Sequence, residues 1–155
     1  MGWKISWRAM VNRLYLNPLS TAFYDWLQPA SSFGMLGERM ADRYLRKRGY
    51  IILARQYENK WGELDLIATR DRSIIIVEVK TRRTDIAGLP AEAVDANKQA
   101  RITQTALAYL RRHDLLEQPA RFDVIAILWP LNQRQPTVTH YMNAFEPVGR
   151  FQMHV

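Results

Sequence analysis

The chain contains no cysteine among its 155 residues, which excludes disulfide bonds, thiolate metal sites and cysteine nucleophiles. Its three histidines are scattered along the chain, as His113, His140 and His154, and no two have the spacing of zinc ligands. Neither a glycine-rich phosphate loop nor a G-x-S-x-G nucleophile motif occurs. Catalysis by a cysteine, serine or histidine nucleophile is therefore poorly supported, which leaves carboxylates and lysines.

Long apolar runs are also missing, since no stretch reaches the roughly 18 apolar residues that a transmembrane helix needs. Residues 1–33 are basic and rich in tryptophan, but Arg8, Arg13 and Pro18 interrupt any apolar core of a secretory signal. We expect this segment to be a flexible extension, with contact to a membrane surface or a nucleic-acid backbone as the alternative. Together with the lack of cysteine, these features favour a cytoplasmic protein without firm membrane association.

Acidic residues are in short supply: 15 Asp and Glu stand against 22 Lys and Arg, so the formal net charge is +7. An excess of positive charge favours polyanionic partners, above all DNA or another nucleic acid, although it says nothing about the fold. The hydrophobic share of 48% is enough for a real core, and the length predicts one domain. We place that domain at residues 34–145, followed by a weakly structured tail at 146–155.

The pattern of apolar residues predicts two helices and five strands in this domain. The predicted helices cover 36–48 and 91–113, and the predicted strands cover 50–57, 63–69, 74–81, 121–128 and 137–142. Three strands joined by short turns predict an antiparallel meander, and a strand that follows the long helix is expected to pair parallel with an earlier one. The predicted fold class is therefore α/β, a mixed sheet flanked by helices.

Charged residues interrupt two strands that are otherwise apolar: Asp65 in the second strand, and Glu78 and Lys80 in the third. Because side chains alternate across a strand, Glu78 and Lys80 share a face, and the short turn between the strands makes Asp65 their neighbour. The same alternation predicts that Leu64 and Leu66 share the other face of the second strand.

Two neighbouring carboxylates repel each other, and one takes up a proton unless a cation intervenes. Mg²⁺ meets that need, because it binds one or two carboxylates and keeps waters for phosphate oxygens. Lys80 would then act on the attacking water or on the charge that develops on the phosphate, which gives phosphodiester hydrolysis. The alternative is a salt-bridged cluster at a strand end.

Other basic residues fall at informative positions on the helices. Lys98 lies inside the apolar stripe of the long helix, where a lysine is unusual, and snorkelling past the core edge is the alternative. Arg39 and Arg43 lie on the polar face of the first helix, which is either a solvated face or a surface that contacts phosphates. With Arg82 and Arg101 they are our candidate nucleic-acid contacts.

The segments GELDLIA at 62–68 and VEVKTR at 77–82 resemble the motif of the PD-(D/E)xK nucleases, and more closely that of the bacterial YraN family of predicted endonucleases. Leu64 precedes Asp65, at the position where the superfamily name has proline. The YraN motif has a strand residue at this position, and Leu64 agrees with it. The resemblance covers about residues 34–145 and leaves the first 33 outside. The further matching residues are Gly37, Glu38, Ala41, Tyr44, Leu45, Gly49, Tyr50, 90–94, Lys98, Arg101 and 121–124.

This resemblance implies a restriction-endonuclease-like core with Asp65 and Glu78 as ligands of Mg²⁺ or Mn²⁺ and Lys80 as the catalytic lysine. It also implies that Glu38, which corresponds to the first-helix glutamate of the similar archaeal Holliday-junction resolvases, helps to hold metal or water. Lys98 matches an auxiliary catalytic position. The function expected is a metal-dependent DNA endonuclease, structure-specific for branched DNA, and a homodimer if it cuts both strands of a junction.

Two alternatives remain open. The first is a nucleic-acid-binding module without turnover in DNA processing, which the charge of +7 favours. The second is an adaptor that uses its tryptophan-rich extension to reach a partner.

Overall fold

The computed structural model of the chain describes residues 6–15, 32–84 and 94–149. Five strands form one sheet, and their order in space follows their order in the chain. The strands are β1 Ile51–Asn59, β2 Gly62–Arg70, β3 Ser73–Arg82, β4 Ala120–Leu128 and β5 Thr137–Phe145, and the described helices are α1 Trp7–Tyr15, α2 Phe33–Lys47 and α3 Ala96–Arg112. The predicted α/β fold class is confirmed.

Strand directions follow from the connections. The turns between β1 and β2 and between β2 and β3 are two residues long, and both pairs are antiparallel. Asp71 and Arg72 in the second turn have φ of 50° and 64°, the left-handed values that a type I′ hairpin turn requires. β4 follows α3 and pairs parallel with β3, whereas β5 returns antiparallel to β4. The predicted meander with one parallel pair is thus present.

Helices cover both faces of the sheet and create two cores. The first core lies between the sheet and helices α1 and α3, and its buried residues include Ile67, Ile76, Ile102 and Phe122. The second core lies under α2 and includes Ala41, Leu45, Leu66, Val77 and Ile125. Because β3 is central and covered on both faces, Ile74–Val77 can be continuously apolar.

Both long helices begin at a capping side chain. The Ser32 hydroxyl accepts a hydrogen bond from Met35 N–H at 3.1 Å, so α2 starts three residues earlier than predicted. The Asp95 carboxylate accepts one from Lys98 N–H at 2.8 Å, and α3 starts at Ala96, later than the predicted residue 91. Val94 is buried ahead of the helix instead of within its stripe. Residues 85–93, on which the rest of that prediction falls, lie outside the described residues.

Residues near both ends of the described part of the chain contact the domain. Val11 of α1 is only 8% exposed and lies in the first core, with Trp7 and Met10 packed against it. Near the other terminus, Val148 N–H donates to the Thr103 hydroxyl of α3 at 3.1 Å. Among the helices described, none is long and apolar enough to cross a membrane.

Candidate active site

The sheet splits at one end. β2 pairs with β3 from Arg70–Ser73 as far as Leu66–Val77. Beyond that point β2 continues alongside β1 to Gly62, and β3 continues alongside β4 to Arg82. We call this split the fork, and its two sides the β1–β2 arm and the β3–β4 arm. A splayed pair of strands exposes the side chains at its base to both faces of the sheet, so the fork determines where a site can form.

Asp65 lies at the base of the fork. One of its carboxylate oxygens accepts a hydrogen bond from Val79 N–H at 2.6 Å, so the side chain bridges to β3 where the backbone ladder stops. The alternation of side chains also breaks here, because Leu64 packs in the first core and Leu66 in the second. The prediction that these two leucines share a face is wrong. The irregular backbone at this level belongs to β1, where Gln56 lies opposite Asp65 and has φ of 46°, and the Asp65 side chain reaches β3.

Glu78 is 5% exposed and is bound by two lysines. Its Oε1 atom lies 2.8 Å from Lys80 Nζ on the same strand and 3.0 Å from Lys98 Nζ on α3. Both lysine side chains are partly accessible, at 25% and 34%. Glu78 and Lys80 therefore share a face, and α3 brings in Lys98 from across the first core.

Glu38 approaches the same region from α2. Its Oε2 accepts a hydrogen bond from the Gln56 side-chain amide of β1 at 3.1 Å. Gln56 has φ of 46°, a strained value for a residue inside a strand, and this conformation turns its amide toward α2. Nothing in the sequence around Gln56 signals this role, since an isolated glutamine in a strand has no pattern to distinguish it.

The carboxylates of the fork repel one another. Burial raises the pKa of Asp65 to about 7, and the nearby charge of Glu78 adds to the rise. Burial also raises the pKa of Glu38, and Glu63 and Glu78 contribute in the same direction although Gln56 opposes them. For Lys98, burial favours the neutral amine, but contact with Glu78 outweighs it and raises the pKa.

A divalent cation fits this donor set. Within the described residues, no three or more acidic or histidine side chains form a ready-made metal cage. Asp65 and Glu78 alone supply hard carboxylate oxygens, which suits Mg²⁺, an ion that retains several waters and needs only one or two protein carboxylates. Burial and the charge of Glu78 raise the pKa of Asp65 to about 7, and a cation bound beside Asp65 would favour its charged form.

The four candidate arginines are distributed unevenly. Arg101 of α3 lies against the tip of the β1–β2 arm, since a Cβ built on Gly62 would be 3.6 Å from its Nη2. Arg82 ends the β3–β4 arm. On α2, Arg39 follows Glu38 and contacts the Met35 sulfur at 3.8 Å, while Arg43 is exposed one turn further on. Arg82 on the β3–β4 arm and Arg101, which lies against the β1–β2 arm, thus flank the fork from opposite sides.

Asp123, in the 121–124 segment, pairs with Val77 at the base of the fork, but the contacts of its side chain are with β4 and β5. Its side chain is fully buried and accepts hydrogen bonds from Arg121, from His140 Nε2 at 2.8 Å and from Asn143 N–H at 2.9 Å. The register between β4 and β5 shifts between Phe122 and Val124, so Asp123 satisfies an amide that the bulge leaves without a ladder partner. Asp123 therefore fastens the edge strand β5 to the sheet.

Comparison with known proteins identifies the family to which the sequence is similar. A model of the uncharacterised protein family UPF0102 matches residues 37–127. A UPF0102 protein of Rhodopirellula baltica is 48% identical over 122 residues, which cover 77% of this chain and 73% of that protein. UPF0102 proteins of Geotalea uraniireducens and Pelobacter propionicus are 44% and 45% identical, over 74% and 84% of this chain and 90% and 91% of their own lengths. The matched region contains the fork except for Leu128 at the end of β4, whereas α1 lies outside it.

Proposed function

We propose that this chain, which belongs to the uncharacterised protein family UPF0102, is a metal-dependent endonuclease that hydrolyses phosphodiester bonds in DNA. The observation that carries the proposal is the convergence at the base of the fork of a half-buried carboxylate, a buried carboxylate and a lysine: Asp65, Glu78 and Lys80. The resemblance to the YraN motif supports the same assignment. A net charge of +7 favours the approach of a polyanion.

Asp65 and Glu78 would hold a Mg²⁺ or Mn²⁺ ion, and Glu38, whose charge raises the pKa of Asp65, would bind one of its waters. When bound, such an ion activates water and stabilises the negative charge of a phosphodiester under attack. The Val79 N–H bond fixes the orientation of Asp65, and Lys98 does the same for Glu78. The chain thus holds both carboxylates in place before any substrate arrives.

Lys80 is the residue assigned to the reacting phosphate. An ammonium group has three N–H donors, so Lys80 can contact Glu78 and still donate to a phosphate oxygen. Its side chain is 25% exposed, which leaves it within reach of a strand that lies across the fork. A donor fixed at the place where charge develops typically contributes about 10²–10³-fold to the rate.

The first experiment measures cleavage. The purified full chain is incubated with Mg²⁺ or Mn²⁺ and end-labelled branched, flapped, single-stranded and duplex DNA. The wild type should cut at least one substrate. Lys80→Ala should lower the cleavage rate on that substrate by about 10²-fold or more. Lys47→Ala, at an exposed lysine of α2, is the control of equal charge and should retain full activity. If no substrate is cut with either ion, or if Lys80→Ala matches the wild type, the enzyme proposal fails.

The second experiment measures metal binding without turnover. Calorimetric titration with Mn²⁺ should show one site that Asp65→Asn weakens by at least tenfold, because a carboxylate ligand is lost. Asp71→Asn, at a side chain that is 88% exposed in the β2–β3 turn, is the matched control and should bind as the wild type does. Equal affinities for wild type and Asp65→Asn would indicate a salt-bridged cluster with no metal.

A second candidate is a nucleic-acid-binding module without turnover. The observation that favours it is the pair of lysines on Glu78, an arrangement that satisfies the carboxylate without any metal. In that case DNA binding should weaken steeply with salt, survive Lys80→Ala, and be accompanied by no cleavage. Cleavage that depends on Lys80 excludes this candidate.

A further inference from the structure

Both arms of the fork end in aromatic side chains paired with cations. At the tip of the β1–β2 arm, Trp61 is 44% exposed, and Lys60 Nζ lies 4.9 Å from its ring centroid. A two-residue turn gains nothing from a tryptophan, since turns favour small residues such as glycine and asparagine. An exposed indole at this point therefore needs an explanation other than the turn itself.

The β3–β4 arm carries the second aromatic group. Arg83 follows β3, and its guanidinium carbon lies 3.8 Å from the ring centroid of Phe33, at the start of α2. Trp129 follows β4, with its ring 6.3 Å from that of Phe33. Arg83 is exposed while the two aromatic rings are half-buried. Among the described residues of this arm, the exposed planar group is thus a guanidinium supported by an aromatic ring.

Hydrogen bonds fix both tips. Trp61 N–H donates to the Asn59 side chain at 2.9 Å, and Asn59 in turn donates to the Thr105 carbonyl of α3 at 3.4 Å. On the other arm, Arg83 Nη1 donates to the Trp129 carbonyl at 3.2 Å, and Trp129 N–H donates to the Arg82 carbonyl at 2.8 Å. The backbone that carries Trp61 and the guanidinium of Arg83 are therefore held in position on either side of the fork.

We propose that the two arm tips bind the bases of unpaired nucleotides, so that the substrate is DNA with a single-stranded segment lying across the fork. Aromatic rings and guanidinium planes stack on any exposed base, whereas the bases of an intact duplex are stacked on one another and cannot reach them. That the strand is cleaved at the carboxylates between the arms rests on the proposed function, but the stacking of bases on the arm tips does not.

The spacing agrees with a short strand. Trp61 precedes Asp65 by four residues and Arg83 follows Glu78 by five, which at about 3.3 Å per residue places the two tips roughly 13 Å and 16 Å from these carboxylates along their strands. Those distances correspond to about four or five nucleotides stacked at 3.4 Å. Lys60, Lys80, Lys98 and Arg101 supply positive charge along the path.

Binding is tested in EDTA, so that neither metal nor cleavage contributes. Fluorescence anisotropy compares a labelled single-stranded 15-mer with the same sequence as a blunt duplex, at fixed salt. The variants are Trp61→Ala and Arg83→Ala, with Trp61→Phe as the conservative replacement. Leu131→Ala, at a side chain that is 85% exposed in the β4–β5 loop, controls for loss of exposed apolar surface, and Lys47→Ala controls for loss of charge.

Trp61→Ala should weaken single-strand binding about 5- to 100-fold, the range produced by losing one base–aromatic stack, and change duplex binding less than twofold. Trp61→Phe should recover most of the affinity, and both controls should bind as the wild type does. The proposal is overturned if Trp61→Ala and Arg83→Ala leave single-strand affinity unchanged, or weaken both DNA forms equally. Stacking without cleavage would refute the nuclease alone, and cleavage without single-strand preference would refute the stacking alone.

Discussion

Replacing Asp123 with alanine should destabilise the whole domain, because this residue joins β4 to β5. The carboxylate is fully buried and accepts two hydrogen bonds from Arg121, one from His140 and one from Asn143 N–H. Arg121 is 28% exposed and can turn to water after the substitution, but the His140 side chain is 7% exposed and cannot. The variant therefore leaves the buried His140 imidazole and the Asn143 N–H without their acceptor.

The expected loss is about 2–4 kcal/mol of unfolding free energy, because a hydrogen bond to a charged group contributes about 1.5–3 kcal/mol and Arg121 regains partners in water. Since small domains are stable by about 5–15 kcal/mol, this is a substantial part of the total. Urea unfolding at pH 7, followed by circular dichroism, gives the value directly. Glu117→Ala, at an exposed acid outside helices and strands, should change stability by less than about 0.5 kcal/mol.

The effect should also depend on pH. Burial alone would raise the pKa of Asp123, but the hydrogen bonds from His140, Arg121 and Asn143 outweigh it and hold the pKa below its ordinary value. A group with a lowered pKa stabilises the fold fully above its unfolded pKa, near 3.9, and loses that contribution as pH falls through the folded value. The difference between wild type and Asp123→Ala should therefore shrink below about pH 4. A loss under about 1 kcal/mol at pH 7 would refute the reasoning, since Asp123 would then be free for a role other than fastening β5.

Two further substitutions test how α2 and β1 position Glu38. Gly37→Ala should lower the free energy of unfolding by about 1–3 kcal/mol, because the new Cβ would lie 1.8 Å from the Thr81 hydroxyl oxygen. Adding Thr81→Ala to this variant should restore part of the lost stability. Gly34→Ala, with only Ser32 Oγ nearby at 3.9 Å, should not lower stability in the same urea assay. Gln56→Gly loses a hydrogen bond to Glu38 but relieves a left-handed conformation, so stability should change by less than about 1 kcal/mol while metal-dependent cleavage slows. An unchanged cleavage rate would show that Gln56 does not orient Glu38.

Much of the fold follows from local patterns. The apolar run Ile74–Val77 identifies a strand covered on both faces, and the two-residue turn after Arg70 requires β2 and β3 to be antiparallel neighbours. From these, alternation places Glu78 and Lys80 on one face. The start of α3 was less predictable, because the capping strength of Asp95 competes with an apolar residue, Val94, that fits the helical stripe equally well.

The sequence by itself determined the order and type of the strands and the shared face of Glu78 and Lys80, because both depend on periodicity over a few neighbouring residues. Only the tertiary structure decided that β2 leaves β3 at Leu66, that Asp65 turns to Val79 N–H, and that Lys98 contacts Glu78. Each of these depends on pairing and packing between segments far apart in the chain. The fork exists because β2 stays paired with β1 while β3 stays paired with β4. No local sequence pattern encodes which neighbour each strand keeps.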